Sequence, residues 1–448
     1  MQSDKPEHAP LGELYMALTR NKETMSNRVF VLNPDTTPLM PCTAKRARKM
    51  LEAGKAAVWR RYPFTIILKS EAGKGSQPLA LKLDPGSKTT GMALVLDGKH
   101  GKKAIWGAEL HHRGHAIRDS LTRRRQLRAS RRSRKLRHRP ARFLNRTRAE
   151  GWLPPSLMHR VLTVISWAKR LDRFTMLDSF SMELVSFDTQ KMMNPDIQRQ
   201  DYQRGTLFGT EVRAYLMHKW EGKCAYCGKK EKGLQVEHLL PRSRGGSNRI
   251  SNLVMSCQKC NAAKGSKALE EFLRRKPAGL KRIQEQQKQS LADTAAVNAT
   301  KHRLLDELKC FGYPVETGSG AQTSFNRQQQ GYDKAHWIDA ACVGDSGEQV
   351  QVKPLEPLKI KCMGRGNRQM CGTDKYGFPI RHRTRQKVFF GFQTGDIVRA
   401  EVLSGKYVGV HVGRIAVRAR PNFKLETFDV HAKYLTALHK ADGYSYSF

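Results

Sequence analysis

Acidic residues are what this sequence is short of. Forty Asp and Glu stand against 81 Lys and Arg in 448 residues, giving a formal charge of +41 and an isoelectric point near 10.2. A compact chain with that excess repels itself, so a polyanion is the expected partner, and each phosphate neutralised also releases condensed salt ions. Long apolar runs are missing too. No stretch reaches the roughly 18 apolar residues that a membrane-spanning helix needs. Residues 1–24 are polar and lack the apolar core of a secretory leader, so they read as a disordered extension. Cysteine is scarce, at nine residues, and four of these fall into two Cys-x-x-Cys pairs. That pattern excludes a disulfide framework and points to metal binding in a reducing cytosol. With 39% hydrophobic residues the chain can still build two to four domains, each with its own core.

Several elements can be read along the chain. Val29–Leu32 and the segment Pro38-Leu39-Met40-Pro41 open a first unit. Thr43 is an N-cap for a helix to Ala53, with Gly54 as its stop, and strands follow at Ala56–Trp59 and Phe64–Leu68. Leu79–Asp84 reads as a strand ending in a carboxylate, and Gly91–Leu96 as its partner across the Pro85-Gly86 turn. From Arg113 to Arg148 there are 14 arginines and one acid, Asp119. Arginine is a good helix former, so an arginine-studded helix is predicted, anchored by Leu121, Leu127, Leu136, Phe143 and Leu144. Its candidate nucleic-acid contacts are Arg123, Arg124, Arg125, Arg128, Arg131, Arg132, Arg134 and Arg137. An amphipathic helix (Leu157–Leu171), a strand (Ser179–Leu184) and a polar linker (Asp188–Thr206) come next. Beyond the cysteine pairs a helical stretch runs to Lys309. Pro314–Thr317 is a strand, Asp333–Cys342 a helix, and Arg414–Arg420 a strand with one basic face.

Cys224 and Cys227 pair with Cys257 and Cys260 about 30 residues later. Four thiolates are the complement of a closed tetrahedral zinc site, which has no open position and is therefore structural. Between and beyond the pairs run Val236-Glu237-His238-Leu239-Leu240-Pro241, then Gly245-Gly246, Asn252, and Asn261-Ala262-Ala263-Lys264-Gly265. This closely resembles the ββα-metal nucleases of the HNH family. The resemblance implies that His238 deprotonates the attacking water, that Glu237 and Asn261 hold one magnesium ion, and that Asn252 braces the loop carrying His238. The chemistry is coherent, because imidazole takes a proton near neutral pH while a divalent ion offsets the charge of the phosphate.

Asp84 ends one strand and Glu183 lies near the end of another, while His336 and Asp339 sit three apart on one helix face. In this order they resemble the three split motifs of a RuvC-type, RNase H-like nuclease. That likeness implies Asp84, Glu183 and Asp339 as ligands of two magnesium ions, with His336 as proton acceptor or water-orienting group. Two close cations need several carboxylate oxygens to offset their repulsion.

The order of motifs looks like that of type II CRISPR effector nucleases in miniature, and Pro38-Leu39-Met40-Pro41 narrows the resemblance to the IscB family of transposon-encoded, RNA-guided nucleases. Lys375-Tyr-Gly-Phe-Pro and the Phe390–Val398 segment also look like that family. The implied fold class is α+β multidomain, a RuvC core split into three segments around an inserted HNH domain. The expected divisions are 1–24 extension, 25–73 N-terminal domain, 74–112 RuvC segment I, 113–149 arginine-rich bridge helix and 150–190 segment II. Linker and HNH domain take 191–275, segment III takes 276–350, and a β-rich domain that meets the target-adjacent motif takes 351–448. The implied partners are a structured guide RNA (ωRNA), one protein chain per RNA, and double-stranded DNA, in a bacterial or archaeal cytoplasm. Two other readings remain open: an HNH homing or restriction enzyme that needs no RNA, and a non-catalytic transposon RNA-binding protein.

Overall fold

The computed structural model describes residues 27–73, 75, 77–133, 147, 149–184, 212–231, 233–246, 250–287, 292–353, 355–364, 371–374 and 378–448. The expected extension and the 188–206 linker lie outside them, as do Arg134, Arg137, Leu136, Phe143, Leu144 and residues 375–377.

The chain opens with a four-stranded sheet, in the order β2-β1-β4-β3, from β1 (Val29–Leu32), β2 (Pro38–Cys42), β3 (Ala56–Arg60) and β4 (Thr65–Leu68). The helix Ala44–Glu52 between β2 and β3 starts where the Thr43 hydroxyl accepts a bond from the Arg46 amide at 3.3 Å. Strand β1 is buried on both sides. Val29 and Val31 belong to this unit's small core, while Phe30 and Leu32 enter the main one.

That main core lies under an eight-stranded mixed sheet. Its strands are β5 (Leu79–Pro85), β6 (Thr89–Gly98), β7 (Gly101–His111), β8 (Ser179–Glu183), β11 (Val315–Gly318), β12 (Val350–Gln351), β13 (Leu358–Cys362) and β23 (Tyr444–Ser447). Their order is β11-β8-β5-β6-β7-β13-β23, with β12 also on β7. Leu79, Leu81 and Leu83 turn to one face and pack in one core with Val161, Val164, Trp167 and Leu171 of the helix Pro155–Phe174. On another buried surface Ala93, Val95 and Ala104 meet Trp337, Ala340 and Ala341 of the helix His336–Ala341. Helices therefore cover both faces, the layering of α/β proteins.

Strand β7 was not anticipated from the sequence. Lys102, Lys103, Gly107 and Glu109 break its alternation, yet Ala104, Ile105, Trp106, Ala108 and Leu110 are buried. Strands β13 and β23, expected in the C-terminal β-rich unit, instead extend the large sheet. Leu358, Ile360 and Cys362 alternate inward and give β13 an apolar face to add beside β7.

Strands β9 (Gln235–His238) and β10 (Leu253–Ser256) pair antiparallel, and the helix Gln258–Lys264 follows to complete a ββα unit. Its own core includes Leu216, Trp220, Leu239, Val254, Met255 and Ile283. Near the C-terminus come two short hairpins, β14 (Cys371–Thr373) with β15 (Pro379–His382) and β16 (Val388–Phe389) with β17 (Phe392–Gln393). A five-stranded antiparallel sheet follows, ordered β21-β20-β19-β18-β22, from β18 (Ile397–Val402), β19 (Gly409–Ala416), β20 (Asn422–Leu425), β21 (Phe428–His431) and β22 (Leu435–His439). The expected strand Arg414–Arg420 is corrected here: β19 ends at Ala416, and Arg418 ion-pairs with Asp429 at 2.6 Å.

The arginine-rich segment is helical over Gly114–Ser133. The expected anchors Leu121 and Leu127 are 36% and 61% exposed, and every residue from Arg118 to Ser130 faces solvent. Arg123, Arg124, Arg125 and Arg128 therefore project from a helix held at its first turns, and Arg131 and Arg132 lie on its last turn. Beyond its first turns the described part of this helix buries nothing, so its arginines repel one another in open solvent.

Candidate active sites

Asp84 and Glu183 stand at the ends of two parallel neighbours, since the β5–β8 register aligns Leu83 with Met182 one residue before them. His336 reaches them from the opposite layer, its Nδ1 3.5 Å from Asp84 Oδ2. A glycine makes that approach possible. Gly91 is the cross-strand partner of Asp84, and a Cβ on it would sit 1.8 Å from the His336 carbonyl oxygen. Asp339, one turn along, is gripped by Arg327 Nε at 2.6 Å. The structure thus brings Asp84, Glu183, His336 and Asp339 together.

Their electrostatics are those of too much negative charge in too little water. Burial pushes the Asp339 carboxyl up to about 6, and the charge of Asp84 adds to the effect against Arg327, Lys334 and His336. Glu183 is raised well above the ordinary glutamate value by burial and then by Asp84. His336 is raised by its bond to Asp84. Acids crowded in this way resist ionising together, and hard divalent ions suit oxygen donors of their kind.

A polar row that the sequence reading missed lies one step behind the acids. Lys82, two residues before Asp84, buries its ammonium against the Val343 carbonyl at 2.8 Å and the Ser346 hydroxyl at 2.5 Å. Glu316 accepts from the Ser181 hydroxyl at 2.6 Å and the Ser346 amide at 2.9 Å. Burial pulls Lys82 down to about 8, opposed by Glu316. This network ties β5, β8 and β11 to the turn after the Asp339 helix.

In the ββα unit, ligand atoms of Cys224, Cys227, Cys257 and Cys260 lie within 4.8 Å of one another. Burial is the main force pushing the Cys227 and Cys260 thiols up, the state that a bound cation reverses by taking the proton's place. The donor set and its closure fit a structural zinc ion. His238 ends β9 beside Leu253, and Asn252 clamps the loop that follows it, bonding the Leu240 amide at 2.8 Å and carbonyl at 3.0 Å. Gly246 lets that loop close, because a Cβ there would lie 1.8 Å from the Leu240 oxygen.

Glu237 differs from expectation. Its Oε1 accepts from the buried Lys264 ammonium at 2.7 Å, and its Oε2 accepts from the Tyr226 hydroxyl. Lys264 also bonds the His238 carbonyl at 2.8 Å. The Asn261 amide donates instead to Gln235 Oε1 at 2.9 Å. A shared magnesium ion on Glu237 and Asn261 therefore requires these bonds to rearrange, because a buried carboxylate takes the nearest cation. Neither Lys264 nor Tyr226 was assigned a role from sequence, although Lys264 lies in the segment after Asn261 and Tyr226 between Cys224 and Cys227.

Residues 29–205 match the family model described as RRXRR protein, and residues 224–277 match HNH endonuclease. No curated protein matches the chain. Among solved structures it is similar to the type II-C Cas9 enzyme from Actinomyces naeslundii, at 17% identity over 41% of this chain and 26% of that one, TM-score 0.15. It is also similar to Streptococcus thermophilus Cas9 in complex with the GGAA PAM, at 12% identity over 58% and 32%, TM-score 0.20. A likeness at these scores assigns neither fold nor activity, and the chain spans a third or less of the length of those structures. The two matched families, in this order within one chain, fit the IscB-like kind of nuclease that the motif order resembles, and the second of them is an endonuclease family.

Proposed function

We propose that the protein is an RNA-guided DNA endonuclease with two cutting sites. The observation that carries this reading is a cluster of three acids and a histidine, distinct from an HNH unit, in one chain of charge +41. A structured guide RNA, the ωRNA, binds along the exposed arginine helix. The C-terminal β-rich region reads a short target-adjacent motif. Base pairing between guide and target then reads the sequence, so the protein needs mainly backbone contacts, which arginine supplies.

At the HNH site His238 takes the proton of the attacking water, and Asn252 keeps its loop in place. The guide-paired strand is cut there. At the second site Asp84, Glu183 and Asp339 hold metal and His336 accepts or orients a proton; the displaced strand is cut there. Magnesium, when bound, neutralises the phosphate and stabilises the leaving oxygen, with two ions at the acid cluster and one at the HNH site.

The test is cleavage of a guide-matched plasmid in magnesium, with and without the chain's own noncoding RNA. Linear product only with RNA is expected. Cutting without RNA would refute guidance and favour a homing or restriction enzyme. No cutting under either condition would favour an RNA-binding protein. His238→Ala and Asp84→Ala should each leave a nick, in opposite strands; loss of both cuts from either change would overturn the two-site assignment.

A further inference from the structure

A second group of side chains of metal-ligand type includes none of the residues assigned to either nuclease site. One ligand atom each of His112, His159 and Cys362 falls within 4.8 Å of the others. The three come from separate elements. His112 directly follows β7, Cys362 ends the parallel neighbour β13, and His159 lies early in the helix Pro155–Phe174. Register explains the meeting, since Lys361 pairs with His111 and so sets Cys362 beside His112.

The protonation pattern is that of ligands. His112 Nε2 lies 2.7 Å from the Thr90 hydroxyl, while its Nδ1 is buried with no hydrogen-bond partner among the described residues. A buried imidazole nitrogen without a donor is a lone pair left unused, and metal-bound histidines typically fix their other nitrogen in this way. His159 is held differently: its Nδ1 is 3.3 Å from the Thr163 hydroxyl and its Nε2 accepts from the Arg113 amide at a long 3.3 Å, a bond that a metal ion on Nε2 would displace. Burial, helped by nearby positive charge, holds both rings neutral, His112 at about 3 and His159 at about 4. Burial pushes the Cys362 thiol up to about 11, opposed by its hydrogen bond with Thr163, and a cation bound there would take the place of its proton.

We propose that His112, His159 and Cys362 form a metal site for one thiophilic divalent cation, zinc by its donor set, with water in the fourth position. The site would pin β7, β13 and the helix Pro155–Phe174 together at the foot of the arginine-rich helix, which begins two residues after His112. Two imidazoles and a thiolate suit zinc better than magnesium, which requires oxygen.

The test is the zinc content of the purified full-length protein after dialysis against metal-free buffer. Two zinc ions per chain are expected, falling to one in Cys362→Ser and in His112→Gln while the four-cysteine ion stays. One zinc ion in the unaltered protein, lost on Cys224→Ser, overturns the proposal, as does unchanged content in Cys362→Ser. Should Cys362→Ser fail to fold, the unaltered chain decides by alkylation: zinc must protect Cys362 from iodoacetamide, and equal labelling with and without zinc overturns the site. None of these readouts depends on RNA guidance or cleavage.

Discussion

Replacing Lys264 with methionine tests the HNH unit where the structure departs most from sequence expectation. The Lys264 side chain is fully buried, and the Glu237 carboxylate it neutralises is only 8% exposed. Removing one partner of such a pair typically costs about 3–5 kcal/mol, because the other charge is left in a poor solvent. Tyr226 still donates to Glu237 after the change, which places the expected loss near the lower end, about 3 kcal/mol. Glu237→Gln alone strands the ammonium and should cost a comparable amount. With both changes no charge is buried, so the double variant should recover about 2–3 kcal/mol of the summed losses. Zinc release from the four cysteines during urea unfolding, followed with a coloured chelator in a Cys362→Ala background, reports this unit alone. A loss of about 3 kcal/mol moves the midpoint by roughly 1–3 M urea. Single variants within about 0.3 M of the parent, or fully additive losses, would refute the reasoning. Because Lys264 occupies Glu237 Oε1, magnesium should also stabilise Lys264→Met more than the parent.

Four further outcomes are expected. Asp339 is raised to about 6, so its bound proton favours the folded, metal-free chain below its ordinary value of 3.8, and that contribution is lost as pH rises through about 6; Glu183 is raised in the same direction. Manganese must displace those protons, so calorimetry should show its affinity weakening about tenfold per proton and pH unit below pH 6; constant affinity from pH 5 to 8 would contradict this. Gly91→Ala forces the His336 backbone away by more than an ångström and should leave HNH cutting alone, seen as a nick; full double-strand cleavage would show that the close approach is dispensable. Replacing Arg123, Arg124 and Arg128 by glutamine should lower the salt slope of RNA binding by about 0.7–0.9 for each phosphate no longer neutralised, while an unchanged slope would remove the helix from the interface. Cys224→Ser should release the HNH zinc yet leave RNA affinity within about twofold, with a collapse of RNA binding arguing against a separable unit.

The candidate site residues were legible because the chemistry they are read for restricts them to few types. Four cysteines at zinc spacing admit little else, whereas Asp84, Glu183, His336 and Asp339, each weak alone, stood out only through the order of their motifs along the chain. Their meeting place was not legible. It depends on Gly91 giving way to a helix 245 positions later, an approach that no local pattern announces. Strand β7 was hidden because Lys102, Lys103 and Glu109 interrupt a strand whose apolar residues, from Ala104 to Leu110, are core. Strands β13 and β23 were assigned to the wrong neighbour because short alternating strands fit any open edge, and only tertiary pairing selects one.

The same limit explains Glu237. A motif names a residue type at a position, and Glu beside His238 reads as a metal ligand by analogy. What a buried carboxylate does is set by the nearest cation, and a lysine inside a helix next to alanines gives no sign that it will turn inward. Lys264 does so because the helix Gln258–Lys264 packs across β9, which carries its ammonium to both Glu237 and the carbonyl of His238. One lysine then ties down the strand that ends in His238 and neutralises the carboxylate beside it. A metal ion on Glu237 would have to displace that ammonium, so a substitution at Lys264 must change metal affinity and the stability of the HNH unit together or change neither.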